Sequence, residues 1–322
     1  NRRNFIKKTS LSGAAIATAS SLSSSKFKER DKMSQYMGDF SAPKLNQVKV
    51  AFIGVGARGT GHAKQFSTIG GTEVVGICDL YEDLAERSKK ICEAADNQRH
   101  KNIQLYHGGE NDWIKMIKET SPDAVFISTN WDNHSLMAIK AMELGSHAFV
   151  EVPMATNLTD LWRIVDTSEK TRKHCMMMEN VNYGRDELMF LNMCRKGIIG
   201  DFLHAEAAYI HELRFQMDEE ERGTGSWRTH HYAKSKGNLY PTHGLGPVAQ
   251  YMNLARGDDN FQSLISYSTP ALGRKLYARK NYSSNHKWNK LQYNNGDLNS
   301  SIIKTSLGRT ILVQWDETSP RP

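Results

Sequence analysis

Short apolar runs alternate with helix-length, polar-faced segments along the chain from Val48 to Asn180. The runs are rich in Val, Ile, Ala and Met and lack a regular apolar–polar alternation, as is typical of strands covered on both faces. They lie at Val48–Ile53, Glu73–Cys78, Asp123–Ser128, His147–Val150 and His174–Met178. Between the last two, Thr159–Lys173 places apolar residues at helical spacing. This pattern predicts a parallel, doubly wound α/β sheet.

The pattern changes after Asn180. A helical segment at Asp186–Lys196 is followed by Gly197, a residue type favoured just after a helix. Residues 214–246 are crowded with His, Tyr, Arg and Gly and are expected to be mostly loop. Strands are predicted at Phe202–Glu212, Phe261–Ser268, Ser301–Thr305 and Thr310–Trp315, the last two joined by a turn at Leu307-Gly308. Consecutive strands with few helices indicate an α+β domain with a mostly antiparallel sheet.

The length of 322 residues exceeds the size at which a single core stops growing, roughly 250–300 residues. We therefore expect a leading segment (1–45), the doubly wound domain (46–180) and the α+β domain (181–322). The last predicted strand ends shortly before Pro322, which would leave an open edge on a small sheet. We expect the α+β domain to be incomplete at its C-terminal end.

The distribution of charge argues against a nucleic-acid partner. The formal net charge is +7, but residues 1–32 alone carry eight basic and two acidic side chains. The rest of the chain is close to neutral and has no basic field that would track phosphates. Arg2-Arg3 opens a basic start, followed by a weakly apolar stretch and the cleavage pattern Ala17-Thr18-Ala19. We interpret residues 1–45 as a twin-arginine signal and linker, and expect periplasmic or secreted protein.

Neither a membrane span nor a metal site is predicted. No run approaches the roughly 18–20 continuous apolar residues of a transmembrane helix. The four cysteines show no C-x-x-C spacing, and reduced, buried thiols are favoured for Cys78 and Cys175 in their apolar runs. His230, His231 and His243 have no carboxylate or cysteine at a ligand spacing.

A glycine motif follows the first predicted strand. Gly54, Gly56 and Gly59 form G-x-G-x-x-G between that strand and a helix, the arrangement that lets backbone amides reach a pyrophosphate in Rossmann domains. The second strand ends at Asp79, 20 residues beyond Gly59. Its carboxylate suits the ribose hydroxyls and would repel a 2′-phosphate. Because Leu80 adds no positive charge, the sequence predicts NAD rather than NADP.

Polar residues also follow the later strands, whose carboxyl ends gather ligands in such sheets. Residues 130–134 (Asn-Trp-Asp-Asn-His) follow the third run, Glu151-Val152-Pro153 the fourth, and Asn180 the fifth. Trp131 and His134 have an alternative interpretation as a core aromatic and an N-terminal helix residue.

The domain order and the E-x-P after the fourth run resemble the glucose–fructose oxidoreductase/inositol dehydrogenase superfamily. That superfamily usually has E-K-P, with a lysine that assists hydroxyl oxidation, where this chain has Val152. From Val48 to Pro322 the chain resembles, more narrowly, the NAD-dependent α-N-acetylgalactosaminidases of glycoside hydrolase family 109. The motifs are Gly-x-Gly-x-Arg58-Gly59, Trp131-x-x-His134, Glu151-Val152-Pro153, Glu179–Tyr183, Trp227-Arg228 and the specific Tyr240–Pro247.

This resemblance implies two sets of contacts. The cofactor NAD would contact, besides Gly54 and Gly56 of the motif, Arg58, Gly59, Asp79, Trp131, His134, Glu151, Val152 and Asn180. An N-acetylgalactosaminide would contact Tyr209, Arg228, Tyr240, Thr242 and His243. A further substrate tyrosine would be expected just beyond Pro322.

Most glycosidases use two carboxylates that flank the anomeric carbon, and no such pair stands near the His- and Tyr-rich section. The resemblance implies instead a cycle of oxidation at sugar C3, elimination, hydration and reduction that does not consume NAD. Two proton-handling groups are needed. We assign His243 to the C3 hydroxyl proton, replacing the missing lysine, and Tyr183 to the C2 proton, while Arg228 and Tyr240 would bind hydroxyl or acetamido groups.

Two other functions remain open. One is an exported NAD(P)-dependent sugar oxidoreductase, which the missing E-K-P lysine disfavours. The other is a non-catalytic sugar-binding protein that kept the Rossmann shell. A homo-oligomer is compatible with either, and the sequence leaves the sugar, its anomer and the natural glycan open.

Overall fold

The computed structural model describes residues 36–319. The residues on which the twin-arginine interpretation depends lie within 1–35, outside the described residues. Within the described part, no helix combines the length and apolarity needed to cross a bilayer.

The first domain is built on a six-stranded sheet in which every neighbouring pair is parallel. The strands occur in the order β3-β2-β1-β4-β5-β6. They are β1 Val48–Ile53, β2 Thr72–Asp79, β3 Gln104–His107, β4 Ala124–Ile127, β5 His147–Val150 and β6 Cys175–Met177. The predicted doubly wound fold is confirmed. The order reverses between β1 and β4, which is where such sheets open a crevice for a ligand.

Helices cover both faces of this sheet. They are α1 Ala57–Thr68, α2 Glu82–Ala95, α3 Asp112–Thr120, α4 Trp131–Glu143 and α5 Leu158–Thr171. Successive residues of β1 belong to two different apolar clusters, with Val50 and Phe52 in one and Ala51 and Ile53 in the other. Both faces of β1 are thus buried, which explains why the strand lacks an alternating pattern.

The sequence analysis was wrong about one strand. The short strand β3 was missed because only Tyr106 of its four residues is buried, so it carries no apolar run. It pairs with β2 at the sheet edge. The run His147–Val150, predicted as the fourth strand, is therefore the fifth.

The second part of the described chain contains a four-stranded sheet in the order β7-β10-β9-β8. Strand β10 pairs in parallel with β7 and antiparallel with β9, and β9 pairs antiparallel with β8, so the mostly antiparallel sheet is confirmed. The strands are β7 His204–Ile210, β8 Phe261–Ser268, β9 Leu298–Thr305 and β10 Thr310–Asp316. The α-helices are α6 Arg185–Arg195, α7 Thr224–Lys234, α8 Thr242–Tyr251, α9 Gly273–Asn281 and α10 Lys287–Lys290, and 3-10 turns lie at Asn180–Asn182 and Arg214–Asp218.

The expected loop at residues 214–246 contains α7 and the start of α8, so this prediction was wrong. The buried residues of α7 are Gly225, Thr229, Tyr232 and Ala233, and none of them is a large aliphatic residue, which hides the period of the helix. Helix α8 contains Pro247 and two glycines, residues that usually break helices. A Cβ on Gly244 would lie 2.8 Å from the Ala207 Cβ. The glycine therefore lets α8 lie directly on β7, and tertiary packing overrides the low helix propensity.

Candidate functional site

The glycine motif divides into two structural kinds of residue. Gly54 has φ +79°, and a Cβ there would lie 2.7 Å from the Ser128 carbonyl oxygen. A Cβ on Gly59 would overlap the carbonyl oxygen of Gly54. These two glycines are therefore required by the packing of the protein itself. Gly56 has an ordinary φ of −66° and nothing within 4 Å of an added Cβ, so its open side is free for a ligand to approach the backbone.

The residues around Gly56 fit a dinucleotide. Helix α1 begins there with no side-chain cap and no acidic residue in its first turn, so its amide groups and positive dipole end can meet a pyrophosphate. At the end of β2, the Asp79 carboxylate accepts hydrogen bonds from the backbone N–H groups of Val55 (2.7 Å) and Tyr81 (3.0 Å). These bonds hold the loop in place, and each oxygen keeps a second acceptor position for ribose hydroxyls.

A charged cluster follows β5. The Glu151 Oε1 atom lies 2.6 Å from Nε2 of His62 and 3.7 Å from Nε of Arg58, and both partners come from one face of α1 because they are four residues apart. Burial raises the pKa of Glu151, but the hydrogen bond and charge of His62 and the charge of Arg58 outweigh it, so the pKa lies below its usual value. His62 was not predicted from the sequence. Its i+4 spacing from Arg58 is the only signal that could have indicated it.

Two of the predicted cofactor residues are deeply buried. Trp131 is 3% exposed and His134 1%, and the His134 ring nitrogens lie 2.8 and 3.0 Å from the carbonyl oxygens of Pro153 and Thr129. Burial lowers the pKa of His134, and a neutral ring carries a single N–H, so it donates to one of these two carbonyl oxygens at a time. Asn180 is exposed at the end of β6. Contacts of these residues with NAD stay predictions.

Four of the five predicted substrate residues come together in one cluster, here called the His243 cluster (Tyr209, Arg228, Tyr240 and His243). The His243 ring lies 4.7 Å from that of Tyr240 and 5.4 Å from that of Tyr209, centroid to centroid. Burial raises the pKa of both tyrosines, so their hydroxyl groups stay protonated at neutral pH. These residues come from β7, α7, the loop before α8, and α8 itself.

The His243 cluster packs against the carboxyl edge of the Rossmann sheet. The Tyr240 hydroxyl donates to the Val152 carbonyl oxygen at 3.3 Å. The Arg228 guanidinium lies 5.1 Å from the Trp131 ring and 5.3 Å from the Tyr240 ring, within the range of cation–π attraction. The cluster therefore lies beside Val152, the residue that follows Glu151.

Several polar atoms in this region are buried without a hydrogen-bond partner among the described residues, and Nε of Arg228 and Oγ1 of Thr242 are two of them. Buried donors of this kind are normally satisfied. A polyhydroxylated ligand offers the acceptors that these atoms lack.

The buried carboxylate of Glu179, which was not predicted from the sequence, contacts His243. The Glu179 Oε1 atom lies 2.6 Å from Nδ1 of His243 and accepts a 3.0 Å hydrogen bond from the Val181 N–H. Glu179 directly precedes Asn180 at the end of β6 and is 1% exposed. The motif Glu179–Tyr183 contained this residue, but the sequence offered no sign of its partner 64 positions away.

Tyr183 has no ring contact or hydrogen bond with the His243 cluster within the described residues. Its side chain is 55% exposed. A ring contact with His243 is thus present for Tyr209 and absent for Tyr183 in this part of the chain. A catalytic role for Tyr183 stays a prediction.

The described residues offer neither a metal site nor a reactive thiol. Among residues 36–319, no group of three or more His, Cys, Asp or Glu side chains could hold a metal ion. The four cysteines, all in this range, form no disulfide with one another. Burial raises the pKa of Cys78 to about 12 and that of Cys92 to about 11, so neither is a nucleophile near neutral pH.

The fold and the glycine loop define a class. A model of the oxidoreductase family with an NAD-binding Rossmann fold matches residues 48–179, so the expected NAD-binding domain is confirmed. A model of the glycosyl hydrolase 109 C-terminal domain matches residues 183–322. The chain belongs to glycosyl hydrolase family 109.

Relatives support this assignment along the whole chain. The chain is 62% identical to glycosyl hydrolase family 109 protein 1 of Akkermansia muciniphila over 89% of its own length and 59% of the relative's. It is 51% identical to protein 2 of the same organism over 100% of its own length and 70% of the relative's. The chain thus spans little more than half of the first relative.

Among solved structures, scyllo-inositol dehydrogenase from Lactobacillus casei, with bound NAD(H) and scyllo-inositol, matches with a TM-score of 0.61 and 13% identity. The match covers 84% of this chain and 70% of that one. At this identity the likeness concerns the fold alone.

Proposed function

We propose that this chain carries the cofactor site and most of the substrate site of an NAD-dependent glycosidase that removes terminal α-N-acetylgalactosamine. One observation carries the proposal. A histidine with a buried carboxylate partner, His243, lies in a cluster that contacts Val152 and Trp131 at the carboxyl edge of an NAD-binding sheet. This arrangement supports a proton-handling role for His243 next to the expected nicotinamide end.

The environment of the Glu179 carboxylate, which contacts His243, supports a redox route over the usual route of glycosidases with two carboxyl groups. A conventional glycosidase needs two carboxyl groups in contact with the sugar. Glu179 is 1% exposed and is occupied by His243 and the Val181 N–H. Its position suits support of a histidine rather than attack on an anomeric carbon.

When bound, NAD supplies a reversible hydride acceptor for a sugar C–H bond. Within this scheme His243 accepts the C3 hydroxyl proton through Nε2, because Nδ1 is held by Glu179. Loss of the C3 hydrogen makes the neighbouring C2 proton acidic, so that a base can remove it while the C1 substituent leaves. Water then adds at C1, and the proton that His243 holds returns to the C3 oxygen at the end of the cycle.

A tyrosine is proposed for the C2 proton. Tyr183 remains the assignment from the sequence. Tyr209 is the competing candidate for the group that returns a proton to C2, because its hydroxyl stays protonated and its ring lies 5.4 Å from that of His243. Arg228 would bind ring hydroxyl or acetamido oxygens with its charged donors, and the buried Oγ1 of Thr242 would complete these contacts.

The experiment is an incubation of the intact protein with an aryl α-N-acetylgalactosaminide in D₂O without added oxidant. We expect release of the aglycone and a sugar product that carries deuterium at C2. Release without deuterium would reject the redox route. Net accumulation of NADH would favour a sugar oxidoreductase, and binding without release would favour a non-catalytic protein.

The matched β-anomer serves as the control for configuration, and the aryl α-galactoside serves as the control for the acetamido group. Faster turnover of either control would replace N-acetylgalactosamine or its α-linkage in the proposal.

Export remains part of the proposal. It depends on Arg2-Arg3 and on the A-x-A pattern at Ala17–Ala19. Replacing both arginines by lysine should keep the protein in the cytoplasm, as measured by fractionation, and unchanged export would remove the twin-arginine assignment.

A further inference from the structure

The carboxylate of Glu179 is not assigned by the sequence motifs, yet it has the shortest contact to His243. We infer that Glu179 is a positioning residue that keeps the proton of His243 on Nδ1 and leaves Nε2 free to accept one. This inference rests on the proposed role of His243. Its direct support is the 2.6 Å distance between Oε1 and Nδ1, which is short even for a charge-assisted hydrogen bond.

The backbone fixes the direction of this carboxylate. Glu179 is the N-cap of the 3-10 turn Asn180–Asn182, and its side chain accepts from the Val181 N–H at 3.0 Å. A Cβ on Gly246 would lie 3.3 Å from the Glu179 Cγ, so helix α8 packs closely against the same side chain. The turn and the helix together leave the carboxylate little freedom to leave His243.

Burial makes the pairing selective for one tautomer. The exposed fractions of the two side chains are 2% for Glu179 and 12% for His243. A carboxylate accepts but does not donate, so the nitrogen that faces it must carry the hydrogen. In a neutral ring the second nitrogen, Nε2, is then the acceptor, which is the state a general base requires.

The second carboxylate oxygen is also informative. Oε2 of Glu179 is buried and has no hydrogen-bond partner among the described residues, a state that costs free energy and is rare. An unshared negative charge at this position has a use when His243 becomes a cation, because the charge then stabilises the imidazolium, as the aspartate does in serine protease triads. Glu179 thus offers the pair both an acceptor and a counter-charge.

Two substitutions separate these contributions. Glu179→Gln keeps an acceptor oxygen but removes the charge, and Glu179→Leu removes both at similar volume. The tautomer of His243 is measured by ¹⁵N NMR of the ring in the intact, NAD-loaded protein without substrate. We expect the Nδ1–H form in the unmodified protein, and a shift to the Nε2–H form in Glu179→Leu.

Turnover of the aryl glycoside should follow the same order. We expect kcat to fall by about 10²–10⁴-fold in Glu179→Leu and by less in Glu179→Gln, with KM nearly constant. Glu169→Gln is the matched control, because Glu169 is a buried glutamate (5% exposed) on α5. It should leave tautomer and turnover unchanged. Stoichiometric NAD in each variant shows that the fold is retained.

The results distinguish this inference from the proposed function. An unchanged Nδ1–H tautomer in Glu179→Leu, or unchanged kcat in both Glu179 variants of an active enzyme, would overturn the positioning role. If Glu179→Leu fails to load NAD, the Gln variant decides through kcat alone. If the intact protein is inactive but its tautomer responds to Glu179, the proposed function fails while the pairing stands.

Discussion

Two glutamate–histidine pairs have the same 2.6 Å separation, and their glutamates follow neighbouring strands of the Rossmann sheet. One pair lies on the side of the expected cofactor, and the other includes His243 of the His243 cluster. Glu151 follows β5 and meets Nε2 of His62, whereas Glu179 lies two residues beyond β6 and meets Nδ1 of His243. The two pairs differ in the ring nitrogen that the glutamate contacts. In the first pair the glutamate contacts Nε2, whereas in the second it contacts Nδ1 and leaves Nε2 free.

The surroundings of the two pairs differ as well. Glu151 has the charge of Arg58 at 3.7 Å and a 3.3 Å contact from its Oε2 to the Val152 N–H. Within residues 36–319, Oε2 of Glu179 has no hydrogen-bond partner. A fully neutralised carboxylate is suited to holding a structure or a ligand in place, and a partly unpaired one is suited to a change of charge during reaction.

The largest effect is expected from the free nitrogen. His243→Ala should lower kcat for the aryl glycoside by about 10²–10⁴-fold, because general acid–base catalysis contributes that much, while NAD stays bound. Turnover and bound NAD are measured on the same sample. His62→Ala is the matched control on the other pair, and an equal loss of kcat there with NAD still bound would erase the distinction between the pairs.

The second prediction concerns the tyrosine that exchanges the C2 proton. Tyr209→Phe should lower deuterium incorporation at C2 by about tenfold or more, since Tyr209 lies in the His243 cluster, and Tyr183→Phe should lower it less, because Tyr183 is 55% exposed. Mass spectrometry of the sugar product gives the result. The reverse order would return the C2 proton to Tyr183.

The third prediction concerns the different roles of Gly59 and Gly56 in the glycine motif. Gly59→Ala should reduce the free energy of unfolding by about 1–3 kcal/mol through overpacking against Gly54. Gly56→Ala should leave unfolding nearly unchanged and weaken NAD binding, because its open side faces the expected ligand. Urea titration and equilibrium dialysis measure the two quantities. Unimpaired NAD binding by Gly56→Ala would contradict this placement of the cofactor.

The fourth prediction tests the contact that joins the two sides. Tyr240→Phe removes the hydroxyl donor to the Val152 carbonyl and should reduce the free energy of unfolding by about 0.5–1.5 kcal/mol. Urea titration again supplies the measurement. Tyr251→Phe is the control, because Tyr251 is the last residue of α8 and does not make the hydrogen bond to Val152. This substitution should change stability less.

The smallest effect is a pH dependence of the cofactor-side pair. The folded pKa of Glu151 is lowered, so the carboxylate stabilises the fold above the unfolded pKa of about 4.3. That contribution is lost as the pH falls through the lower, folded pKa. His62→Gln should flatten the curve of unfolding free energy against pH in this acid range, by about 1 kcal/mol or less. An unchanged curve would remove His62 as the cause.

Local motifs were predicted well for a physical reason. Gly54, Gly59 and Asp79 act through backbone geometry and hydrogen bonds within one βαβ unit, so their spacing along the chain carries the information. Four of the five predicted substrate residues also lie in one cluster, but their recognition came from resemblance to a family. His62 and Glu179 were missed because the partners with which they pair lie 89 and 64 positions away along the chain.

The sequence by itself determined the doubly wound sheet, the glycine loop, the acid that favours NAD, and the mostly antiparallel second sheet, since each follows from short-range periodicity or spacing. Only the tertiary structure decided that residues 214–246 are largely helical and which nitrogen of each histidine meets a glutamate. These properties depend on long-range contacts, such as that of α8 with β7 and that of Tyr232 on α7 with Trp315 on β10, and contacts of that kind leave no periodic signal along a chain.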